Sequence, residues 1–158
     1  ILMGTLSKAL GAEGGYACAN KVIIEYLKNK ARSFIFATSQ TPATLAAALR
    51  ATEVLAEEPQ RAQKLQHNVE FFLNALHAEG VEAYSPTAII PIIIGDEKSA
   101  LQVADELLAN GVLAPAIRYP TVAKGTARLR VALMATHTEA ELSQTAKLIG
   151  AAIRKYKK

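Results

Sequence analysis

The tripeptide Glu57-Glu58-Pro59 limits what this chain can fold into more than any other feature. Ahead of it, Thr41 has an N-cap side chain, Pro42 suits a first helical position, and Leu45, Ala48, Leu49, Thr52 and Leu55 recur at helical spacing. A proline has no N–H to continue that ladder, so the helix must stop here. Helical spacing then restarts with Leu65, Val69, Phe72, Leu73 and Leu76. We therefore read residues 1–57 and 58–158 as separate regions.

In the first region, residues 21–29 read as a short helix and the aromatic, β-branched run 33–37 as a buried strand. The second alternates helices and strands. Gly80 ends its first helix, and residues 89–94 form a strand whose internal Pro91 implies an edge or a bulge. A further helix buries Leu101, Ala104, Leu107 and Leu108 and stops at Gly111. Strands over 112–118 and 127–134 bracket a Pro/Gly loop, and Thr138 with Glu141 forms a capping box that opens the last helix. Because Leu129, Val131 and Leu133 share one strand face, Arg128 and Arg130 share the other, where they meet either solvent or a ligand.

Composition removes several function classes. A 158-residue chain that is 51% hydrophobic and 20% charged can bury a sizeable core and is not disordered. Its one cysteine, Cys18, allows no internal disulfide, fits a reducing compartment and has no evident catalytic base. No apolar run approaches the roughly twenty residues of a membrane span, and no charged leader precedes one. A cytoplasmic protein without membrane contact is expected. The net charge of +4 is attributed largely to Arg154, Lys155, Lys157 and Lys158, cations that suit a helix C-terminus, so nucleic-acid binding is not expected. His67 and His77 fall on different helix faces and His137 in a turn, giving no zinc set, and no serine–histidine–acid arrangement is visible.

Chemistry concentrates at the start. Gly4-Thr5-Leu6-Ser7-Lys8-Ala9-Leu10-Gly11, followed by Gly14-Gly15-Tyr16, sets one lysine among apolar and glycine neighbours, just after two hydroxyls. An ammonium stripped of water by apolar neighbours gives up its proton more readily, and the neutral amine can attack an aldehyde. Lys8 is thus a candidate Schiff-base lysine, against the ordinary alternative of a solvated loop lysine. A nucleotide phosphate loop is disfavoured because no glycine directly precedes Lys8.

This segment resembles the cofactor-lysine segment of the α-oxoamine synthases, fold-type I pyridoxal-phosphate enzymes that condense an amino acid with an acyl thioester and release carbon dioxide. The runs 32–39 and 111–130 agree with the same family, in order and from end to end of the chain. The resemblance implies an α/β fold in which residues 1–57 end the large cofactor domain and 58–158 form a C-terminal small α+β domain. It implies pyridoxal 5'-phosphate on Lys8, with Thr5 at the phosphate and Thr38 and Ser39 reaching the phosphate of the neighbouring subunit in a homodimer. It also implies a small buried packing position for Cys18, Arg130 on the substrate carboxylate and Thr121 on the substrate side, although a simple turn hydroxyl explains Thr121 equally well. The run 111–130 is nearest to the branch that joins L-alanine to a pimeloyl thioester, on coenzyme A or a carrier protein, in biotin synthesis. Departures from the family pattern fall at Ala37, where serine is frequent, and at Thr41, Tyr119 and Ala123, where proline is common; the resemblance implies that the last three lie in loops bordering the acyl channel. Sibling enzymes acting on glycine or serine remain alternatives, as does a folded piece of such an enzyme that is inactive alone.

Overall fold

The computed structural model describes residues 1–156 and divides into two compact units, one from Ile1 to Pro59 and one from Gln60 onward. The first opens with an antiparallel hairpin, β1 (Leu2–Thr5) against β2 (Gly15–Cys18), in which Leu2 faces Cys18 and Thr5 faces Gly15. Helix α1 (Lys21–Lys30) follows, its first turn capped by Asn20, whose Oδ1 accepts from the Ile23 N–H at 3.0 Å. After the single turn α2 (Arg32–Ile35) comes α3 (Pro42–Glu57), capped by Thr41, whose Oγ1 accepts from the Thr44 N–H at 3.2 Å with proline in the first turn.

Three expectations fail in this unit. The run 33–37 is not a strand: Phe34 and Ile35 donate their N–H groups to Ala31 O and Phe36 donates to Arg32 O, closing a helical turn. Strand preference is a preference for a pleated, half-covered surface, and the only sheet here is the β1–β2 pair, which this run does not join. Its backbone is satisfied locally instead, leaving Phe34 and Phe36 exposed. The apolar face expected of α3 is likewise uncovered; Ala48 is buried, while Leu45, Leu49 and Leu55 are exposed. Cys18 is exposed rather than packed, since no layer of this unit covers the end of the hairpin.

The second unit is built from α4 (Gln60–Ala78), β3 (Ile89–Gly95), α5 (Glu97–Ala109), β4 (Ala116–Ile117), β5 (Ala127–Ala132) and α6 (Glu139–Tyr156). Its sheet is antiparallel with order β3-β5-β4. Pro91 lies on the edge strand β3, where the missing donor costs no ladder bond on the open side, and the register shifts between Ile93 and Gly95. Ile90, Ile92 and Ile94 with Leu129 and Val131 turn one sheet face to α5, and α6 packs on α4 and α5. Phe72, Leu76, Val103, Leu107 and Ile149 fill the space between.

Both helix stops read from glycine are realised by the same device. Val81 N donates to Leu76 O and Gly80 N to His77 O; Val112 N donates to Leu107 O and Gly111 N to Leu108 O. Each is a Schellman closure whose glycine has positive φ, +74° at Gly80 and +78° at Gly111. The capping box closes in both directions: Glu141 Oε2 accepts from the Thr138 N–H at 2.8 Å, and Thr138 Oγ1 accepts from the Glu141 N–H at 3.3 Å.

Two details differ. Helix α5 buries Ala100, Val103 and Leu107, so this stripe and not the one with Leu101 and Leu108 faces the core, and those two leucines are exposed. The strand expected over 112–118 shrinks to Ala116–Ile117, as Pro115 offers only its carbonyl, to the Arg130 N–H at 2.9 Å, and cannot extend the ladder. At the C-terminal end, Arg154 donates to Glu79 O at 3.0 Å and Lys155 pairs with Glu106 at 2.6 Å; Lys157 and Lys158 lie outside the described residues. Among the described residues no helix is long and apolar enough to cross a membrane.

Candidate active site

The loop joining β1 to β2 carries Lys8 and is closed by its own backbone. Leu6 N donates to Gly14 O at 2.9 Å, Ala12 N to Leu6 O at 2.9 Å and Gly11 N to Lys8 O at 3.0 Å. Gly11 and Gly14 take φ of +59° and +101°, conformations that side chains disfavour. The Thr5 hydroxyl stitches the loop from inside: it donates to Gly14 O at 3.2 Å, lies 2.8 Å from Ser7 Oγ, and accepts from the Ser7 N–H at 3.2 Å. That is the bonding of a turn threonine, and it leaves Thr5 and Ser7 as a hydroxyl pair three residues and one residue before Lys8. Lys8 itself is exposed, so the apolar surround expected for it is not supplied by residues 1–59.

A second segment meets this loop. Gln40 lies over Gly14, and a β-carbon on that glycine would fall inside the Gln40 amide. The contact brings the stretch holding Thr38 and Ser39, both exposed, against the closing glycine of the lysine loop. Among the described residues neither hydroxyl has a hydrogen-bond partner. On the hairpin, a β-carbon at Gly4 would come within 2.5 Å of the Tyr16 ring, so glycine there lets the ring lie across the strand. An amine beside two hydroxyls on a glycine-closed loop suits an aldehyde that also carries a phosphate.

In the second unit, Arg130 projects from the outer face of β5, exposed and opposite Pro91. It borders a groove of about 580 Å³ whose walls include Leu113, Met134, His137, Glu141 and Leu148. The Thr138 N–H, and then its hydroxyl, hold the Glu141 carboxyl below the usual glutamate range. Arg128 is half-buried and donates Nε to Thr126 O at 3.0 Å, a supporting contact along its own strand. Thr121 is exposed in the loop between β4 and β5, its N–H bonded to Arg118 O at 3.0 Å.

Sequence reasoning missed two positions. Asn68 is fully buried and donates Nδ2 to Met134 O at 2.9 Å and His137 O at 3.0 Å, tying α4 to the turn that borders the groove. Its signal was visible, since residue 68 falls on the stripe of Leu65, Phe72 and Leu76, where a polar side chain needs an internal partner. His67 pairs with Glu139 at 2.8 Å, and that bond holds Glu139 below the usual glutamate range; a partner 72 positions away leaves no local trace.

Comparison with known proteins adds three observations. Residues 1–149 match the model of the family Aminotransferase class I and II. The chain is 48% identical over 150 residues to 8-amino-7-oxononanoate synthase 1 of Bacillus subtilis (strain 168), covering 94% of this chain and 38% of that protein. It is 45% identical to 8-amino-7-oxononanoate synthase 1 of Bacillus velezensis, covering 98% of this chain and 40% of that protein. It thus spans about two fifths of these relatives' length. Among solved structures, it is similar to 8-amino-7-oxononanoate synthase from Francisella tularensis, with 29% identity and a TM-score of 0.84 over 97% of this chain and 45% of that one. It is also similar to a serine palmitoyltransferase from S. paucimobilis solved with PLP–myriocin bound, with 27% identity and a TM-score of 0.88 over 98% of this chain and 39% of that one.

Proposed function

The chain belongs to the aminotransferase class I and II family, and on that footing we propose that it is part of a pyridoxal-phosphate-dependent acyltransferase that condenses L-alanine with a pimeloyl thioester, an 8-amino-7-oxononanoate synthase of biotin biosynthesis. The observation that carries this reading is the glycine-closed hairpin loop that holds Lys8 exposed next to the paired Thr5 and Ser7 hydroxyls. Lys8 would bond the cofactor aldehyde, and the Thr5, Thr38 and Ser39 hydroxyls would take phosphate oxygens, the latter two from the neighbouring subunit of a homodimer. Bound there, pyridoxal phosphate supplies an electron sink for carbanion chemistry at the amino-acid α-carbon.

The remaining work falls to this chain's side chains. The guanidinium of Arg130 holds the alanine carboxylate through two parallel hydrogen bonds and fixes which α-bond is presented for cleavage. Lys8 Nζ, free once substrate is bound, takes the Cα proton as general base. Arg130 loses its partner when carbon dioxide leaves. Thr121 serves the substrate side from the β4–β5 loop. Residues 1–57 then belong to the large domain and 58–158 to the small one.

Borohydride reduction of the full-length protein with cofactor, followed by peptide mapping, tests the assignment. Label is expected on Lys8, and label elsewhere ends it. Assay of alanine, glycine and serine against several thioesters separates this reading from the serine palmitoyltransferase type. Lys8→Ala should abolish turnover, and Arg130→Ala should raise KM for alanine by about a hundredfold, the scale of a lost bidentate charged contact.

A further inference from the structure

Between Leu107 and Thr138 the chain has no aspartate or glutamate, yet it places Arg118, Lys124, Arg128 and Arg130 there. These four cations equal the net charge of +4 of the whole chain. None of these four has a carboxylate partner among the described residues, whereas Lys28, Arg50, Arg154 and Lys155 each have one. The acid nearest in register, Asp96, follows the Gly95–Ala127 pair but is spent on the Ser99 N–H and hydroxyl at 2.8 and 3.0 Å.

The segment is ordered without any ion pair. Thr121 N donates to Arg118 O at 3.0 Å, and the Thr126 N–H and hydroxyl donate to Ala123 O at 3.2 and 2.7 Å. Lys124 Nζ stands 5.2 Å from the centre of the Tyr119 ring, a cation–π contact that localises the ammonium without neutralising it. Arg128 uses only Nε internally, leaving its terminal nitrogens free. One amino-acid carboxylate occupies one guanidinium, which leaves three cations for a second, more highly charged group.

We propose that the loop from Arg118 to Arg128 is a phosphate-binding site for the acyl donor. Its ligand is the phosphate of the phosphopantetheine arm that coenzyme A and a carrier protein share. Lys124, held against Tyr119, is the main contact as a compact point charge, with Arg118 and the free nitrogens of Arg128 beside it. The inference rests on the reading of the protein as an acyltransferase that uses a thioester.

The test is steady-state kinetics of the full-length holoenzyme with three donors: pimeloyl-coenzyme A, pimeloyl-carrier protein, and the phosphate-free pimeloyl N-acetylcysteamine thioester. Lys124→Ala should raise KM about tenfold for both phosphate-bearing donors, leave KM for alanine and for the phosphate-free thioester within about twofold, and be largely rescued by Lys124→Arg. Raising salt from about 0.05 to 0.5 M should reproduce the selective rise. An equal rise with the phosphate-free donor overturns the site. So does a rise confined to the carrier protein, which would mean docking to its surface, or one confined to coenzyme A, which would mean its own further phosphates. Should the wild-type protein condense no thioester at all, the functional reading fails by itself. Equilibrium dialysis of coenzyme A against wild type and Lys124→Ala then decides the site independently, equal affinities sinking it.

Discussion

The two units of this chain hold themselves together in different ways. From Gln60 onward an apolar core runs continuously through α4, β3, α5, β5 and α6, with Phe72, Leu76, Ile90, Leu107, Leu129 and Ile149 inaccessible or nearly so. In residues 1–59 only Ala12 and Ala48 are buried among apolar side chains, and Phe34, Phe36, Leu45, Leu49 and Leu55 are exposed. The first unit is organised by turns, caps and glycine contacts; the second by burial, the larger force. The residue proposed to do covalent chemistry sits in the unit without a core of its own.

The largest effect should come from separating them. Residues 60–158 expressed alone should melt cooperatively with dispersed amide spectra, and residues 1–59 alone should not; a cooperative melt for 1–59 would break the contrast. Next, Phe72→Ala should cost about 3–5 kcal/mol in chemical denaturation, while Phe34→Ala in this chain should change stability by less than about 0.5 kcal/mol. Asn68→Ala removes both donors from the buried Met134 and His137 carbonyls and should cost about 1–3 kcal/mol.

A smaller effect tests the ends of α6. Thr138→Ala should lose about 1 kcal/mol by opening the capping box. Glu141 and Glu139 are both held below the usual glutamate range, by Thr138 and by His67 respectively, so their contributions are complete above the unfolded-state glutamate value and vanish as pH falls through the depressed folded values. Thermal melts of residues 60–158 stepped downward from neutral pH should therefore decline through the acid range, and the part of that decline due to Glu141 should be absent in Glu141→Gln. An unchanged pH profile in that variant would remove the carboxylate from the account.

The elements that were legible in the sequence are those whose cause is local. Thr41 as a cap, the Thr138–Glu141 box, and the glycine stops at Gly80 and Gly111 all act within one turn, and each is formed. Period-two alternation gave the faces of β5, with Leu129 and Val131 inside and Arg130 outside. The candidate site was legible only as a string of residue types; the meeting of Gln40 with Gly14, which sets the Thr38–Ser39 stretch against the lysine loop, has no signature at that separation.

Sequence by itself determined where the longer helices start and stop, which strand face is apolar, and that a lysine follows two hydroxyls in a glycine-flanked segment, because these follow from backbone sterics and side-chain spacing. Tertiary structure alone decided that residues 33–37 turn helically rather than extend, that α5 buries Ala100, Val103 and Leu107, and that Asn68 belongs in the core. Those outcomes depend on which surface arrives to cover a segment and on which carbonyls need a donor, and both are properties of the packed chain.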